Sequence, residues 1–353
     1  MGRVNLMQAS KEYDSPAIEY RLAAEWEPHA ATWLAWPHRK ATWLGDFAPI
    51  PKVFEKVARL LAAYEPVRMI ASGSVLEEAR SSIGSVSNIE LVDIPTNDAW
   101  LRDTGPVFLL PPDRQEPLAV AWKWNAWGGK YPPWDADAKV ACAIARRLQM
   151  NVVEPDVVLE GGAIETDGEG TLLVNYRCIE DPSRNPGLSR TYLERVMREH
   201  LAIEKVLWVG GELVGDDTDG HIDQLARFVS PGRVVVARQP DSLDSNHAAL
   251  EANCALFSTL VDARGRQLEI IPIDIPSRFV FEGVQLPASF MNFYIANGIV
   301  VVPIFRDKAD DAALRQFEQC FPGRRIIPFD CYELIRGRGA LHCITRDEPA
   351  RQA

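Results

Sequence analysis

Short apolar runs and amphipathic stretches alternate along this chain in an order that repeats. Three times, two apolar runs flank a turn rich in Gly, Asp, Asn or Pro, which predicts a β-hairpin, and Asn297-Gly298 is the strongest of these turn signals. A helical pattern and one more apolar run follow each hairpin. The predicted unit is therefore strand, strand, helix, strand. The three hairpins are predicted at residues 163–174, 222–237 and 290–303.

Less regular copies of the same unit precede these three. About five such units fit the chain, and a ring of repeated units has a central channel where the starts of its strands converge. The pattern alone leaves an α/β sheet without symmetry as an open alternative. The earlier apolar runs and helical patterns lie at residues 32–36, 52–64, 67–71, 107–110, 120–124 and 137–148.

Four polar fragments open the predicted units or lie next to them, so a closed ring would bring the fragments together. They supply carboxylates, one histidine and one thiol. Carboxylates can hold a planar cation, a histidine can move protons, and a cysteine can form a covalent intermediate, so this inventory suits attack of a thiol on such a cation. The fragments are residues 97–103, Glu160-Gly161-Gly162, His221-Ile222-Asp223 and residues 341–345.

Each candidate residue also has an ordinary structural interpretation. Cys343 stands between apolar neighbours, where a cysteine is usually a buried core residue. His221 and Asp223 would share one face of a strand, but a solvated acidic loop or a divalent metal site is an alternative. Asp103 precedes Thr-Gly-Pro and Glu160 precedes two glycines, so either carboxylate could simply belong to a turn.

Composition and charge narrow the function classes. The 353 residues are 47% hydrophobic, enough for a large core, and we expect a single catalytic domain over residues 1–353 with flexible polar tails at both ends. The net charge of −11 argues against nucleic acid or an anionic membrane as the main partner, and it is compatible with a cationic substrate.

The chain also carries signals about its cellular compartment. Residues 1–15 have no apolar core of signal-peptide type, and the most apolar stretch, residues 295–305, is too short and interrupted to span a bilayer. Six cysteines lie far apart without a CxxC pair, which indicates free thiols in a reducing cytoplasm and neither a disulfide framework nor a zinc site.

Taken together, the fragments resemble the agmatine deiminase and peptidyl-arginine deiminase-like group of the guanidino-modifying pentein enzymes. The resemblance covers nearly the whole chain, and its specificity comes from the order of the fragments. The family fold that it implies is an α/β propeller, a pseudo-fivefold ring of ββαβ units around a central active site. The matching fragments are residues 25–29, 33–37, 97–106, 125–129, 159–162, 167–171, 220–223, 287–298 and 342–345.

The resemblance implies a role for each candidate residue. Cys343 matches the nucleophile, His221 the general acid and base, and Glu160 the acid that pairs with that histidine. Asp103 and Asp223 match the carboxylates that grip the guanidinium, whose N–H groups form a planar fork. No metal or cofactor is implied. Further residues expected to contact the substrate are Asp98, Trp100, Trp127, Gly128, Asp217 and Gly339.

The implied activity is that of a hydrolase acting on C–N bonds of linear amidines, most simply agmatine deimination through a thiouronium intermediate. The alternatives are deimination of peptidyl-arginine or another guanidino compound, an amidinotransferase, a cysteine protease and a non-catalytic guanidine-binding protein. We expect a small cationic guanidino substrate and no nucleic-acid or membrane partner, and a homo-oligomer remains an open question.

This chain departs from the usual family pattern next to the cysteine. The family usually carries Gly-Gly-Gly-Asn-Ile before the His-Cys pair, where this chain has Gly337-Arg338-Gly339-Ala340-Leu341. Gln224 replaces the common Asn after His-Ile-Asp, and residues 175–179 lack the usual acid. An arginine near the site would repel a dication unless it points away, and Arg338 or Arg177 would favour a substrate that carries a carboxylate.

Overall fold

Strands and short helices alternate throughout the computed structural model, which describes residues 20–112 and 117–351. The predicted flexible tails fall on residues 1–19 and 352–353, outside the described residues. The strands are β1 (Arg21–Leu22), β2 (His29–Ala35), β3 (Val67–Ala71), β4 (Ile89–Asp93), β5 (Val107–Leu110), β6 (Leu118–Val120), β7 (Asn151–Val153), β8 (Ile164–Thr166), β9 (Thr171–Asn175), β10 (Lys205–Val209), β11 (Ala226–Ser230), β12 (Arg233–Arg238), β13 (Glu269–Asp274), β14 (Phe279–Phe281), β15 (Val284–Leu286), β16 (Tyr294–Ala296), β17 (Ile299–Ile304), β18 (Arg325–Asp330) and β19 (Arg346–Pro349).

Helices connect these strands, and several helices are only one turn long. The α-helices are α1 (Ile50–Ala62), α2 (Gly73–Ile83), α3 (Leu101–Thr104), α4 (Ala126–Gly129), α5 (Val140–Arg147), α6 (Tyr176–Ile179), α7 (Arg190–Leu201), α8 (His247–Phe257), α9 (Asp310–Cys320) and α10 (Leu341–Ile344). The 3-10 helices are Lys40–Thr42, Asp137–Lys139, Gly161–Ala163, Ile222–Gln224, Phe290–Asn292 and Leu334–Gly337. None of the helices in the described residues is both long enough and apolar enough to cross a membrane.

Five sheets share one plan: two antiparallel strands, a helix, and a third strand parallel to the second. Four of them follow the chain in order, with cores β5-β6-β7, β8-β9-β10, β11-β12-β13 and β16-β17-β18. The fifth joins the two ends of the described chain, because β19 pairs antiparallel with β2, and β2 pairs parallel with β3 after α1. This pairing makes five ββαβ units, so the predicted pseudo-fivefold ring is confirmed.

Buried apolar strands form the core of each unit. In β12, Val234, Val235 and Val236 are fully buried, as expected for a central strand with a neighbour on each side and a helix across one face. The turn at Asn297-Gly298 is a two-residue hairpin loop, since Ala296 pairs with Ile299 and Gly298 has a φ of 76°. The strongest turn signal in the sequence is therefore confirmed.

A single helical turn precedes the first strand of every unit. The five turns are α3, α10 and the 3-10 helices Gly161–Ala163, Ile222–Gln224 and Phe290–Asn292. Each turn contacts the two next to it around the ring, so together they form a closed cycle at its axis. The site residues therefore arise from equivalent positions of the five units.

Three local predictions need correction. His221 directly precedes the 3-10 helix Ile222–Gln224 and Asp223 lies within it, so neither residue lies on a strand. The glycines at 337 and 339 predict a short strand at Cys343, but this residue lies on α10. The apolar run at residues 120–124 predicts a strand, but β6 ends at Val120, so residues 121–124 lie outside it. Residues 221–224 and 341–344 are buried, so their apolar residues show no alternation that would distinguish a strand from a helical turn. In residues 121–124 only Lys123 is exposed.

Candidate active site

The axis of the ring brings the five predicted catalytic residues together. Asp103 lies on α3, Glu160 directly precedes the second turn, His221 and Asp223 belong to the third, and Cys343 lies on α10. All five are at most 8% exposed. Their side chains are therefore held by the protein interior and interact at low local dielectric.

The thiol of Cys343 faces polar groups. Its Sγ lies 3.1 Å from Asn292 Nδ2, 3.6 Å from Asp223 Oδ2 and 4.0 Å from Gln224 Nε2. Burial first, and then Asp223 and Asp103, raise the pKa of Cys343 well above its usual value. A cation placed between the thiol and these carboxylates would lower that pKa and favour the thiolate.

His221 lies between two carboxylates. Its Nε2 is 3.5 Å from Glu160 Oε2, and its Nδ1 is 3.8 Å from Asp103 Oδ1. Burial by itself would lower the pKa of His221, but Asp103, Glu160 and Asp223 outweigh it and raise that pKa to about 9. The imidazole is therefore protonated at neutral pH and can donate a proton to a leaving group.

A buried arginine holds Glu160 on its other side. Arg184 Nε donates to Glu160 Oε1 at 2.7 Å, and the same guanidinium donates to Asp219 Oδ2 at 2.8 Å and to the carbonyl of Thr218 at 2.9 Å. Burial raises the pKa of Glu160, but Arg184 and His221 outweigh it, so this pKa is lowered and the carboxylate stays ionised.

The two carboxylates assigned to the guanidinium differ in their surroundings. Asp103 accepts hydrogen bonds from Trp127 Nε1 at 3.0 Å and from the backbone of Gly162 at 2.8 Å, and burial raises its pKa. Asp223 lies 2.7 Å from His342 Nδ1. Burial would raise the pKa of Asp223, but His342, His221 and Arg227 together outweigh burial and lower that pKa.

Several buried polar atoms at the axis have no hydrogen-bond partner among the described residues. Buried acceptors are almost always paired in folded proteins, and a planar cation with several N–H groups would satisfy the carboxylate oxygens here. The unpaired atoms at this point are Asp223 Oδ1, Glu160 Oε2, His221 Nε2 and Gln224 Oε1.

Two residues that position this site were not assigned a role from the sequence. Asn292 Oδ1 accepts from the backbone N–H groups of Ala340, His342 and Cys343 at 3.1 to 3.2 Å, and so fixes the first turn of α10. Its place at the end of the fourth turn, before β16, was the signal that could have revealed it. His342 bridges Asp223 and the buried Glu25, whose Oε2 lies 3.0 Å from His342 Nε2.

A narrow pocket of about 80 Å³ leads from Cys343 to the surface. Among the expected substrate contacts, five residues line it, and Gly128 does not. An added Cβ at Gly128 would lie 2.1 Å from Ser183 Oγ, so this glycine allows the loop of Trp127 to pack closely against residue 183. Its expected contact with the substrate stays a prediction. The five lining residues are Asp98, Trp100, Trp127, Asp217 and Gly339.

The outer half of the pocket carries two further carboxylates. Asp98 accepts from Thr42 Oγ1 at 2.5 Å and from the backbone of Ala99 at 2.8 Å, and burial raises its pKa to about 6. Asp217 accepts a hydrogen bond from the hydroxyl of Tyr131. An anionic outer half suits a substrate with a second positive charge.

Two glycines allow the approach of the side chains in the site. A Cβ at Gly339 would lie 2.5 Å from the Trp100 ring, and a Cβ at Gly162 would lie 2.5 Å from His221 Nδ1. Only glycine leaves this space free.

Arg177 lies outside the pocket, where it pairs with Glu212 at 2.9 Å on the surface. No group of three or more His, Cys, Asp or Glu side chains within residues 20–112 and 117–351 could hold a metal ion.

Five ββαβ units around an axis that carries a thiol, an imidazole and several carboxylates define a pentein enzyme. Residues 21–349 match the family described as Porphyromonas-type peptidyl-arginine deiminase. The protein belongs to that family.

Known relatives agree with this assignment. The chain is 38% identical to the agmatine deiminase of Ectopseudomonas mendocina, over 94% of this chain and 96% of the relative. It superposes on the structure of the Enterococcus faecalis agmatine deiminase with a TM-score of 0.89 at 32% identity, covering 95% of this chain and 97% of the other. DDAH from Pseudomonas aeruginosa, in complex with citrulline, shares the fold at a TM-score of 0.50 and 13% identity, over 91% of this chain and 99% of the other.

Proposed function

We propose that this protein is a cysteine-dependent agmatine deiminase, which converts agmatine and water into N-carbamoylputrescine and ammonia. The observation that carries the proposal is the placement of the Cys343 thiol, 3.6 Å from Asp223 and in the same pocket as Asp103. Relatives named agmatine deiminase support the choice of agmatine.

Binding of the guanidinium follows from the acceptors around the axis. Asp103 and Asp223 take its N–H groups, and the unpaired oxygens of Asp223 and Glu160 gain the hydrogen bonds that they lack within the described residues. The bound cation offsets the charge of both aspartates, so the pKa of the Cys343 thiol falls when the substrate arrives. The thiol then loses its proton to the solvent, so the substrate itself activates the nucleophile.

The reaction then proceeds in two steps. The Cys343 thiolate adds to the guanidinium carbon and forms an S–C bond, His221 gives its proton to the departing nitrogen, and ammonia leaves with the electrons of the broken C–N bond. The neutral His221 next takes a proton from water, and the hydroxide adds to the same carbon. The S–C bond breaks with its electrons returning to sulfur, and the hydroxyl proton passes to the solvent. The neutral ureido group and the Cys343 thiolate are released.

The outer half of the pocket favours a substrate with a slender, positively charged tail. Trp100 and Trp127 form apolar walls for a methylene chain, and Asp98 and Asp217 are carboxylates that suit an ammonium group at its end. This arrangement supports agmatine as the substrate.

The proposed steps use water and the side chains of this chain. The proposal includes a single catalytic domain, which the pairing of β19 with β2 supports because it joins both ends of the described chain. It also includes a cytoplasmic location, which the six free cysteines support.

The test is ammonia release from agmatine, free arginine and a short arginine peptide. We expect ammonia from agmatine, and none with Cys343→Ala, which should still bind agmatine in calorimetry. Cys142→Ser is the matched control, because this half-buried thiol on α5 lies outside the pocket. Ammonia from the peptide in preference to agmatine would favour peptidyl-arginine deimination. Consumption of agmatine without ammonia, in the presence of an acceptor amine, would favour amidino transfer.

A further inference from the structure

Among the described residues that line the pocket of Cys343, Arg338 carries the only basic side chain. It follows the 3-10 helix Leu334–Gly337 with a φ of 69°, a left-handed conformation that is unusual for a residue other than glycine. Its backbone N–H donates to the carbonyl of Ile335 at 2.7 Å. The turn therefore directs a long cationic side chain into a pocket whose other charged groups are acidic.

The guanidinium of Arg338 meets Asp217 and Tyr131 in the outer half of the pocket. Arg338 Nη1 lies 3.2 Å from Asp217 Oδ2 and 3.2 Å from the hydroxyl of Tyr131, which itself donates to Asp217. The side chains of Arg338 and Asp217 are 31% and 27% exposed. Ion pairs with this exposure are weak because water screens them, so the substrate can rearrange this one.

One carboxylate thus faces two possible cations. An ammonium group on the substrate tail would have to displace Arg338 from Asp217 or share the carboxylate with it, and it would meet a like charge in either case. A neutral tail would leave the pair intact. A carboxylate tail could take Arg338 for itself, because a guanidinium binds a carboxylate through two parallel N–H groups.

We propose that Arg338 determines the specificity of this pocket, weakening its preference for a second cation on the guanidine and providing a partner for a carboxylate. This inference rests on the proposed deiminase activity and concerns only the tail of the substrate. It names a substrate class, guanidines with a short chain whose end group is not restricted to an ammonium.

The experiment compares three guanidines that share a four-methylene chain and end in an ammonium, a methyl or a carboxylate group: agmatine, pentylguanidine and 5-guanidinopentanoate. Their kcat/KM values are measured with the unsubstituted protein and with Arg338→Gly, a change that suits the left-handed φ of this position. We expect Arg338→Gly to raise the ratio of agmatine to pentylguanidine about tenfold, and to lower the ratio of 5-guanidinopentanoate to pentylguanidine. Where a guanidine is not turned over, its inhibition constant against agmatine replaces kcat/KM.

Three further variants separate the charge of Arg338 from other effects. Arg338→Lys should keep the ratios near those of the unsubstituted protein, because it retains the cation. Arg177→Ala removes a surface charge outside the pocket and should leave the ratios unchanged. Arg338→Gly combined with Asp217→Asn should lose the gain for agmatine, because the freed carboxylate is then absent.

Equal changes for all three guanidines in Arg338→Gly, or no change, would overturn the inference. Failure of the proposed function has a different signature, because no guanidine would then release ammonia in a Cys343-dependent manner. In that case the dissociation constants of the three compounds, measured by calorimetry, replace the rates. The same change in ratios is expected there, and uniform dissociation constants would overturn the inference as well.

Discussion

The two ends of the pocket hold their charges in opposite ways. At the inner end, the side chains of Arg184 and Glu160 are 0% and 1% exposed and belong to a continuous hydrogen-bonded network. At the outer end, Arg338 and Asp217 form one pair that is about a third exposed. Breaking a buried ion pair costs several kilocalories per mole of stability, whereas breaking an exposed pair costs little. The inner end is therefore rigid and suited to one reaction, while the outer end can change with little cost to folding.

The same contrast appears in how each end is built. The inner end draws on all five units, through turns that contact one another around the axis. The outer end depends on residues in the segments between helices and strands, such as Tyr131, Asp217 and Arg338. Loops carry most of the variation in substrate recognition within a fold.

The most disruptive test of this contrast is Arg184→Ala. The change leaves Glu160 buried without its cationic partner, and it should lower the free energy of unfolding by about 3 to 5 kcal/mol. Urea denaturation followed by circular dichroism measures the loss. A loss below about 1 kcal/mol would mean that water reaches Glu160, and the inner end would then resemble the outer one.

Asn292→Ala tests whether the inner end is positioned by the whole ring. The change removes the acceptor for three backbone N–H groups of residues 340–343 and the donor to the Cys343 thiol. We expect kcat for agmatine to fall about a hundredfold, because small displacements of a nucleophile are costly, with KM nearly unchanged. Asn292→Asp keeps the acceptor and should recover part of kcat. An equal rise in KM in both variants would instead indicate a role in substrate binding.

The repeat of the fold could be predicted from the sequence, because its signals are local. Asn297-Gly298 specifies a tight turn, and apolar runs of strand length follow each helical pattern. The closure of the ring was harder to predict from the sequence. β19 pairs with β2 across more than 300 positions of the chain, and no local pattern indicates such a pairing.

The candidate site divides in the same way. Cys343, His221 and the carboxylates stand in fragments that carry reactive groups, so their chemistry identified them. Asn292 and Arg184 act through hydrogen bonds to other side chains or to the backbone. The place of Asn292 at the end of a repeated turn was a signal for its role, whereas nothing in the sequence around Arg184 reveals its contacts. For Gly128 the sequence cannot separate two roles, because a glycine beside a tryptophan suggests a ligand surface as readily as close packing.

The charge of Asp98, in the outer half of the pocket, should change with pH and so test the difference between the two ends. Its pKa of about 6 means that the carboxylate is charged at pH 7.5 and largely protonated at pH 5. If it attracts the ammonium of agmatine, KM should rise about tenfold between these values, while KM for pentylguanidine should change much less. Asp98→Asn should give a high KM for agmatine that no longer changes across this range. A parallel rise for both guanidines would assign the pH effect to the inner end.

The smallest expected effect belongs to the outer pair. Arg338→Gly removes an exposed ion pair, worth at most about 1 kcal/mol, and it relieves the left-handed backbone at this position. The two effects oppose each other, so the free energy of unfolding should change by less than about 1 kcal/mol in the same urea titration. A loss as large as that of Arg184→Ala would show that the outer pair also supports the fold. The outer end could then no longer vary independently of the ring, and the difference between the two ends of the pocket would be one of exposure alone.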